Sequence, residues 1–504
     1  SIMKKLKIIV VTFAVIFSVS ACGTTNKENA AKTDQSSVSK EKSKSTSYHQ
    51  PDTDALIAIV EKDPELKTML NDAIAQGKKI NPNKDKNPAQ TLDEFYSFID
   101  WATLALPWNI NYNDDKQPSL FRSIDQSLNY FYFLADIELP QLENKGYYRA
   151  CLEYYPPYSE WMVKFTKNWG AYLSKPASWN DQYLQRAKND ENFGLQNDWY
   201  EDPSNWHSFN DFFARKLKDP SVRPISNPDD DSILTAPADS EAQGLWQIND
   251  KSEIMNSGDQ VDSENGDKMV VKSKGYNSIP QILHESKYAN TFANGIVTHT
   301  FLNVQDYHRY HFPISGKILE MKTVMEQDAI GGLTYWDSKI QRYMLSSTNP
   351  NWESIETRQY IIIDNPTFGK IALVPVGMSQ ISSVNFEKNL KVGDTVKKGD
   401  PLGYFLFGGS DYMMIFEKGV KLDITIPKTD GEYYDHVLMG EKYGKLTKEL
   451  RSFTTVVTRL KYLVLRDWSI KNKKGQNKLK TTSFALVLLA FYLSLKHGND
   501  FERL

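Results

Sequence analysis

Phe407-Gly408-Gly409-Ser410-Asp411-Tyr412-Met413-Met414-Ile415-Phe416 sets two glycines and a serine directly ahead of an unbroken apolar run. A run of this length behind turn residues predicts a buried strand with Ser410 at its start. Glycine lets the backbone adopt unusual conformations, and Gly409 leaves its carbonyl open to the Ser410 hydroxyl. Should the Gly409–Ser410 amide become an ester and the ester eliminate, residue 410 turns into dehydroalanine and hydrolyses to a pyruvoyl group. That ketone is a cofactor made from the chain itself. The plain alternative is a Gly-Gly-Ser turn.

Outward from this stretch the texture is β. Past Arg223-Pro224, short β-rich runs alternate with Gly, Asn and Asp: Ile296 to Thr298, Lys317 to Val324, Tyr360 to Ile363, Ile371 to Val376 and Tyr404 to Leu406. They predict an antiparallel, barrel- or sandwich-like domain, and Val392 to Gly403 adds glycine-marked corners of the kind barrels use. Before Trp206 the period changes. Phe95-Phe98-Ile99-Trp101 and Phe121-Ile124-Leu128-Phe131 recur at helical spacing. Seven of the 11 tryptophans fall between Trp101 and Trp206, and such stripes are read as core.

The N-terminus reads as a targeting segment. Met3-Lys4-Lys5-Leu6-Lys7 is basic, Ile8 to Val19 is apolar, and small residues then precede Cys22. This resembles a bacterial lipoprotein signal, which implies lipidation of Cys22 and anchoring on the extracytoplasmic side of the membrane. The whole is expected to be α+β. Residues 1–22 are the signal, 23–53 a disordered tether, 54–206 a helical Trp-rich domain, 207–445 the β-rich catalytic domain, and 446–504 a basic, then apolar, tail.

At 504 residues the chain is long enough for two domains. Its net charge of −3 gives no general attraction to nucleic acid, and two cysteines exclude a disulfide framework.

Asp306-Tyr307-His308-Arg309-Tyr310-His311-Phe312-Pro313 places two histidines three residues apart. Three readings fit: a metal site, a surface turn with incidental histidines, and acid–base chemistry by the side chain best suited to neutral pH. No HExxH or cysteine pair joins them, so no metal is expected. Ala236-Pro237-Ala238-Asp239-Ser240 places an aspartate in a turn, where it caps the backbone or, by triad logic, orients a histidine.

Taken in order, Phe209-Asn210-Asp211-Phe212-Phe213-Ala214-Arg215-Lys216-Leu217 with Arg223-Pro224, then Ala236 to Asp239, then Tyr307-His308-Arg309 with His311 and Pro313, then Gly409-Ser410, resemble the motifs of the phosphatidylserine decarboxylase family. The resemblance implies a pyruvoyl-dependent lyase, matured from a zymogen by autocatalytic cleavage between Gly409 and Ser410 into a two-chain heterodimer. It implies self-processing by Ser410 with His311 and Asp239, and a part for His308 in decarboxylation. Its default reaction turns phosphatidylserine into phosphatidylethanolamine in phospholipid biosynthesis. Several positions depart from the pattern. Gly408-Gly409-Ser410-Asp411 stands where the family usually reads Leu-Gly-Ser-Thr, Ser240 replaces a glycine, and Val376-Gly377-Met378 with Ile381-Ser382-Ser383 replaces the usual Val-Gly-Ala. These resemble the tryptophan-decarboxylase-like branch, whose substrates are free aromatic L-amino acids. More remote alternatives are a zinc hydrolase using His308 and His311, or a non-catalytic envelope-binding lipoprotein.

Cys22→Ser is expected to move the protein from the membrane to the soluble fraction on fractionation. Undiminished membrane binding would place the anchor elsewhere, with the apolar run from Phe484 to Leu495 the next suspect.

Overall fold

Asp63, Thr91 and Ser208 each precede a helix and accept a backbone N–H from its first turn, at 3.0, 3.2 and 3.2 Å. In a computed structural model, residues 48–448 are described apart from 109, 111–116, 148, 256–268, 272–273, 277, 325–332, 347–355, 378–382, 407–409 and 432. Cys22 with the signal segment, the tether as far as 47, Gly409 and residues 449–504 therefore lie outside the described residues.

Helices α1 (Pro51–Lys62), α2 (Pro64–Ile80), α3 (Leu92–Leu104), α4 (Ile124–Asp136), α5 (Pro156–Leu173) and α6 (Asp181–Lys188) form the N-terminal half. Helix α1 starts at Pro51, so chain expected to be tether as far as residue 53 is already helical there. The aromatic stripe Trp161-Phe165-Trp169 on α5 is buried, and the Trp161 indole donates to the Asp52 carbonyl at 2.8 Å, joining α5 to α1. No helix among the described residues is long and apolar enough to cross a membrane.

Helix α7 (Phe209–Phe213) leads into the β region. Strands β1 (Ile233–Thr235) and β2 (Ser240–Gln247) come first, then the hairpin β3 (Met269–Val271) and β4 (Lys274–Tyr276) and the short helix α8 (Ile279–Ile282). Next are β5 (Ile296–Leu302), β6 (Arg309–His311), β7 (Gly316–Val324), and the hairpin β8 (Leu333–Asp337) and β9 (Arg342–Ser346). Strands β10 (Arg358–Asn365), β11 (Gly369–Gly377), β12 (Ser383–Phe386) and β13 (Thr395–Val396) precede β14 (Pro401–Leu406) and β15 (Ser410–Phe416). Strands β16 (Val420–Ile424), β17 (His436–Val437) and β18 (Lys442–Lys448) close the series, so the sheet region runs three residues past 445.

The main sheet has eight strands in the order β13-β7-β10-β11-β15-β5-β2-β17, and every pairing is antiparallel. Its end strands do not pair with each other, so of the barrel- or sandwich-like arrangements expected, no closed barrel forms among the described residues. Both faces are covered. Tyr412, Met414 and Phe416 join the core cluster on one face, and Met413 and Ile415 the cluster on the other. Burial on both sides explains why these strands read as unbroken apolar runs rather than alternating ones.

The first of those clusters runs through Trp108, Trp169 and Trp179 of the helical half to Phe209, Tyr310 and Phe405. Packing is therefore continuous across residue 206, the expected domain boundary. The small sheets β12-β14-β6 and β1-β18-β16 complete the β region. In the first of them, Gly403 pairs with Tyr310, one residue from His311. A Cβ at 403 would lie 1.9 Å from the Asn385 carbonyl oxygen and 2.7 Å from the Tyr310 ring. Gly403→Ala should cost about 3 kcal/mol or more in denaturant unfolding, because backbone, not a mobile side chain, must yield.

Candidate active site

Ser410 begins β15 between two neighbours, opposite Gly377 of β11 and Leu302 of β5. It is fully buried, and its hydroxyl has no hydrogen-bond partner among the described residues. Alternation along the strand puts Ser410 on the same face as Tyr412. The Tyr412 hydroxyl donates to the His311 carbonyl at 3.4 Å, so Ser410 and the histidine segment share one side of the sheet.

His311 is pinned on both ring nitrogens. Nδ1 lies 2.9 Å from the Gly399 carbonyl and Nε2 3.0 Å from the Tyr307 hydroxyl. A carbonyl only accepts, so the proton sits on Nδ1 and Nε2 accepts from Tyr307. Burial pushes His311 down from the ordinary 6.5 to about 4, partly offset by the Gly399 carbonyl and the charge of Asp239. His308 is also fully buried. Its ring stacks on Phe213 of α7 with centroids 3.7 Å apart, and neither ring nitrogen has a partner of good hydrogen-bond geometry among the described residues, although the Asp306 backbone lies close enough to favour the charged ring. Burial, reinforced by the Arg215 guanidinium, holds its pKa well below the ordinary range. Both histidines are neutral at neutral pH.

Asp239 does not hydrogen-bond to His311. Its carboxylate accepts from Arg223 at 2.9 and 3.3 Å and from the Met439 backbone at 2.7 Å. The tautomer of His311 is set by Gly399 instead, and Asp239 reaches the ring only through its charge. The reason is geometric: a guanidinium offers a rigid pair of donors that matches a carboxylate, so Arg223 takes both oxygens. Trp199 lies under that guanidinium at 4.1 Å.

Several supporting groups carried no signal strong enough to assign them from sequence. Arg215, wholly buried, donates to the carbonyls of Gln305 at 2.7 Å and Asp306 at 3.2 Å, holding the segment that ends in His308. The run from Phe209 to Leu217 thus braces the histidines with one ring and one guanidinium. The residues that depart from the family pattern are also paired. Ser240 accepts from the Thr300 hydroxyl at 2.7 Å. Asp411 meets Nδ1 of His299 at 2.7 Å, with both side chains 1% exposed. An acid inside a strand that reads as buried demands such a partner, which was the one available clue to His299. A cavity of about 680 Å³, whose walls include His207, Asn210, Lys216, Arg309, Tyr404 and Leu406, shares Arg309 and β14 with this site.

A profile of the family described as phosphatidylserine decarboxylase matches residues 209–445, the span that holds every group above except Trp199 and His207. A protein from Fusobacterium nucleatum named phosphatidylserine decarboxylase proenzyme is 28% identical over 303 residues, covering 58% of this chain and 89% of that one. A Clostridium botulinum protein of the same name is 30% identical, covering 56% of this chain and 84% of its own. The chain belongs to the phosphatidylserine decarboxylase family. A more distant relative, the decarboxylase iboD of Amanita muscaria, is 25% identical over 54% of this chain and 80% of that protein. Within the family, the sequence departures at 240 and 411 are absorbed by local partners, without a break in the strands that carry them.

The depressed pKa values make stability depend on pH. Unfolded chain protonates both histidines below about 6.5, whereas folded chain keeps His311 neutral to about 4. The unfolded state therefore binds more protons in that window, and stability falls as pH drops from about 6.5 to 4. His311 alone accounts for about 3 kcal/mol of this loss. Denaturant unfolding at pH 7 and pH 4.5 checks it, and His311→Gln should flatten the dependence.

Proposed function

We propose that this chain is a phosphatidylserine decarboxylase that cleaves itself between Gly409 and Ser410, leaving two chains and a pyruvoyl group at residue 410. The observation that carries the reading is the Ser410 hydroxyl, fully buried without a partner at the start of a central strand, on the same sheet face as the His311 segment. A hydroxyl in that state is left over from structure and available for chemistry. Membership of the family and relatives named as proenzymes support the same reading.

The residues support a definite sequence of events. Ser410 Oγ attacks the Gly409 carbonyl as its proton passes to Nε2 of His311, once Tyr307 releases that nitrogen. The Gly409–Ser410 amide becomes an ester and frees the nitrogen of residue 410. Loss of the α-proton of 410 then breaks the Cβ–Oγ bond. Gly409 leaves as a carboxylate, and water replaces the nitrogen, which departs as ammonia. Asp239, fixed by Arg223, stabilises the positive charge that His311 gains on the way.

The ketone supplies an electrophile for the substrate amine and a sink for the electrons released with CO₂. His308, neutral and without a partner, gains a proton when an anionic substrate enters the pocket, since a nearby negative charge favours imidazolium. It then delivers that proton to the carbon that has lost CO₂. Lys216, Arg309 and His207 on the cavity wall, set beside the carboxylates of Glu201 and Asp211, suit a zwitterionic head group bearing amine, carboxylate and phosphate. Lipidation of Cys22 would hold the enzyme outside the cytoplasm against the bilayer that carries its substrate.

Mass spectrometry of purified protein is expected to find one chain ending at Gly409 and another beginning with a blocked residue 410. Ser410→Ala and His311→Ala should remain single chains, whereas His308→Ala should be cleaved yet release no CO₂. Cleaved enzyme is expected to release CO₂ from phosphatidylserine in micelles. Release from tryptophan, tyrosine or phenylalanine alone would replace the substrate assignment, and an intact, active wild-type chain would overturn the mechanism.

A further inference from the structure

Remote from the histidines, the helical half contains a buried polar cluster that neither self-cleavage nor decarboxylation uses. Asp136 ends α4, and Cys151 and Glu153 lie at the start of the short 3-10 turn Leu152–Tyr154 that precedes α5. They are 4%, 0% and 2% exposed, and one ligand atom from each lies within 4.8 Å of the others. An acidic cluster alone means little, but here the surroundings also lack partners. Glu153 faces the Asp136 carboxyl, and neither of its oxygens has another hydrogen-bond partner among the described residues. Thr334 gives its backbone N–H to Asp136 at 2.8 Å, yet its hydroxyl, on a residue 3% exposed, is unpartnered. The Tyr158 hydroxyl, which feels the charge of Glu153, is buried and unpartnered as well.

The charges leave the same gap. Burial drives the carboxyls of Asp136 and Glu153 and the Cys151 thiol upward, so each is costly to ionise in place. Arg149 lends one positive charge to Cys151 and Asp136; one of its terminal nitrogens donates to Glu138 at 3.1 Å, and the other is buried without a partner among the described residues. Either the two facing carboxyls share a proton or a cation lies among the three ligands. The thiol decides between cations. Sulfur is a poor ligand for calcium and magnesium and a good one for zinc, which accepts thiolate and carboxylate together in a tetrahedral set.

We propose that Asp136, Cys151 and Glu153 form a structural site for a divalent zinc-class metal, which ties α4 to hairpin β8–β9 through Thr334. Three protein ligands leave a fourth position, next to the unpartnered hydroxyls, for one of these or for water. Cys151 is then a ligand and not a spare thiol, and metal binding releases the protons that burial otherwise keeps on these groups.

The test uses the whole chain, purified without chelator. Metal analysis should find one zinc per chain, and removal by 1,10-phenanthroline should lower the melting temperature by several degrees. Cobalt(II) added to the stripped protein should produce thiolate-to-cobalt charge-transfer absorption, which Cys151→Ser abolishes. Glu153→Gln should weaken zinc retention at least about tenfold. Should either variant fail to fold, the cobalt spectrum of the wild-type chain decides alone. A wild-type chain that neither retains zinc nor gives that absorption, and whose melting temperature ignores both metals, overturns the proposal and leaves a shared proton between Asp136 and Glu153. None of these readouts depends on catalysis.

Discussion

The buried pair between Arg223 and Asp239 holds the active region together. Its side chains are 1% and 4% exposed, and each is committed on several sides. Trp199 of the helical half lies under the guanidinium, while the carboxylate also takes the Met439 backbone N–H. Three separated parts of the chain thus meet at one ion pair. Removing either partner would leave an uncompensated charge in the core, at a cost of about 3–5 kcal/mol. The same carboxylate acts on His311 through space, so the element that joins the chain also tunes its chemistry.

Around that pair the site is closed to bulk solvent, and the burial has consequences. Two imidazoles stay neutral because burial disfavours their charged forms. Three groups that water would normally satisfy, the ring nitrogens of His308 and the hydroxyl of Ser410, face no partner. The surrounding core bears that expense, through the aromatic cluster that runs from Trp108 to Tyr412. Fixed groups shielded from bulk solvent respond strongly to any charge that develops there.

The departures from the family pattern show how a strand position changes without breaking the sheet. Ser240 and Thr300 exchange a hydrogen bond across β2 and β5, and Asp411 is matched by His299 on the strand next to its own. Each of these polar groups has a partner on the neighbouring strand, although Asp411 Oδ1 has none among the described residues. Ser410 and Asp411 are adjacent in sequence but point to opposite faces, so the pairing behind the sheet does not crowd the serine.

The sequence by itself determined the class of structure and the reacting groups. Helical period before Trp206 and apolar runs after Arg223 follow from which faces each element buries, and that information is local. The Gly-Gly-Ser stretch and the two histidines were legible for the same reason, since reactive side chains are few and recognisable. Only the tertiary structure decided who holds whom. The tripeptide Ala236-Pro237-Ala238 does not reveal that Asp239 goes to Arg223 rather than to His311, nor does Asp411 name His299, 112 residues away. The open edge of the sheet was hidden likewise, because strand order depends on contacts distant in the chain. Periodicity records what one segment needs to bury; pairing depends on where two distant segments end up, and no short window holds both.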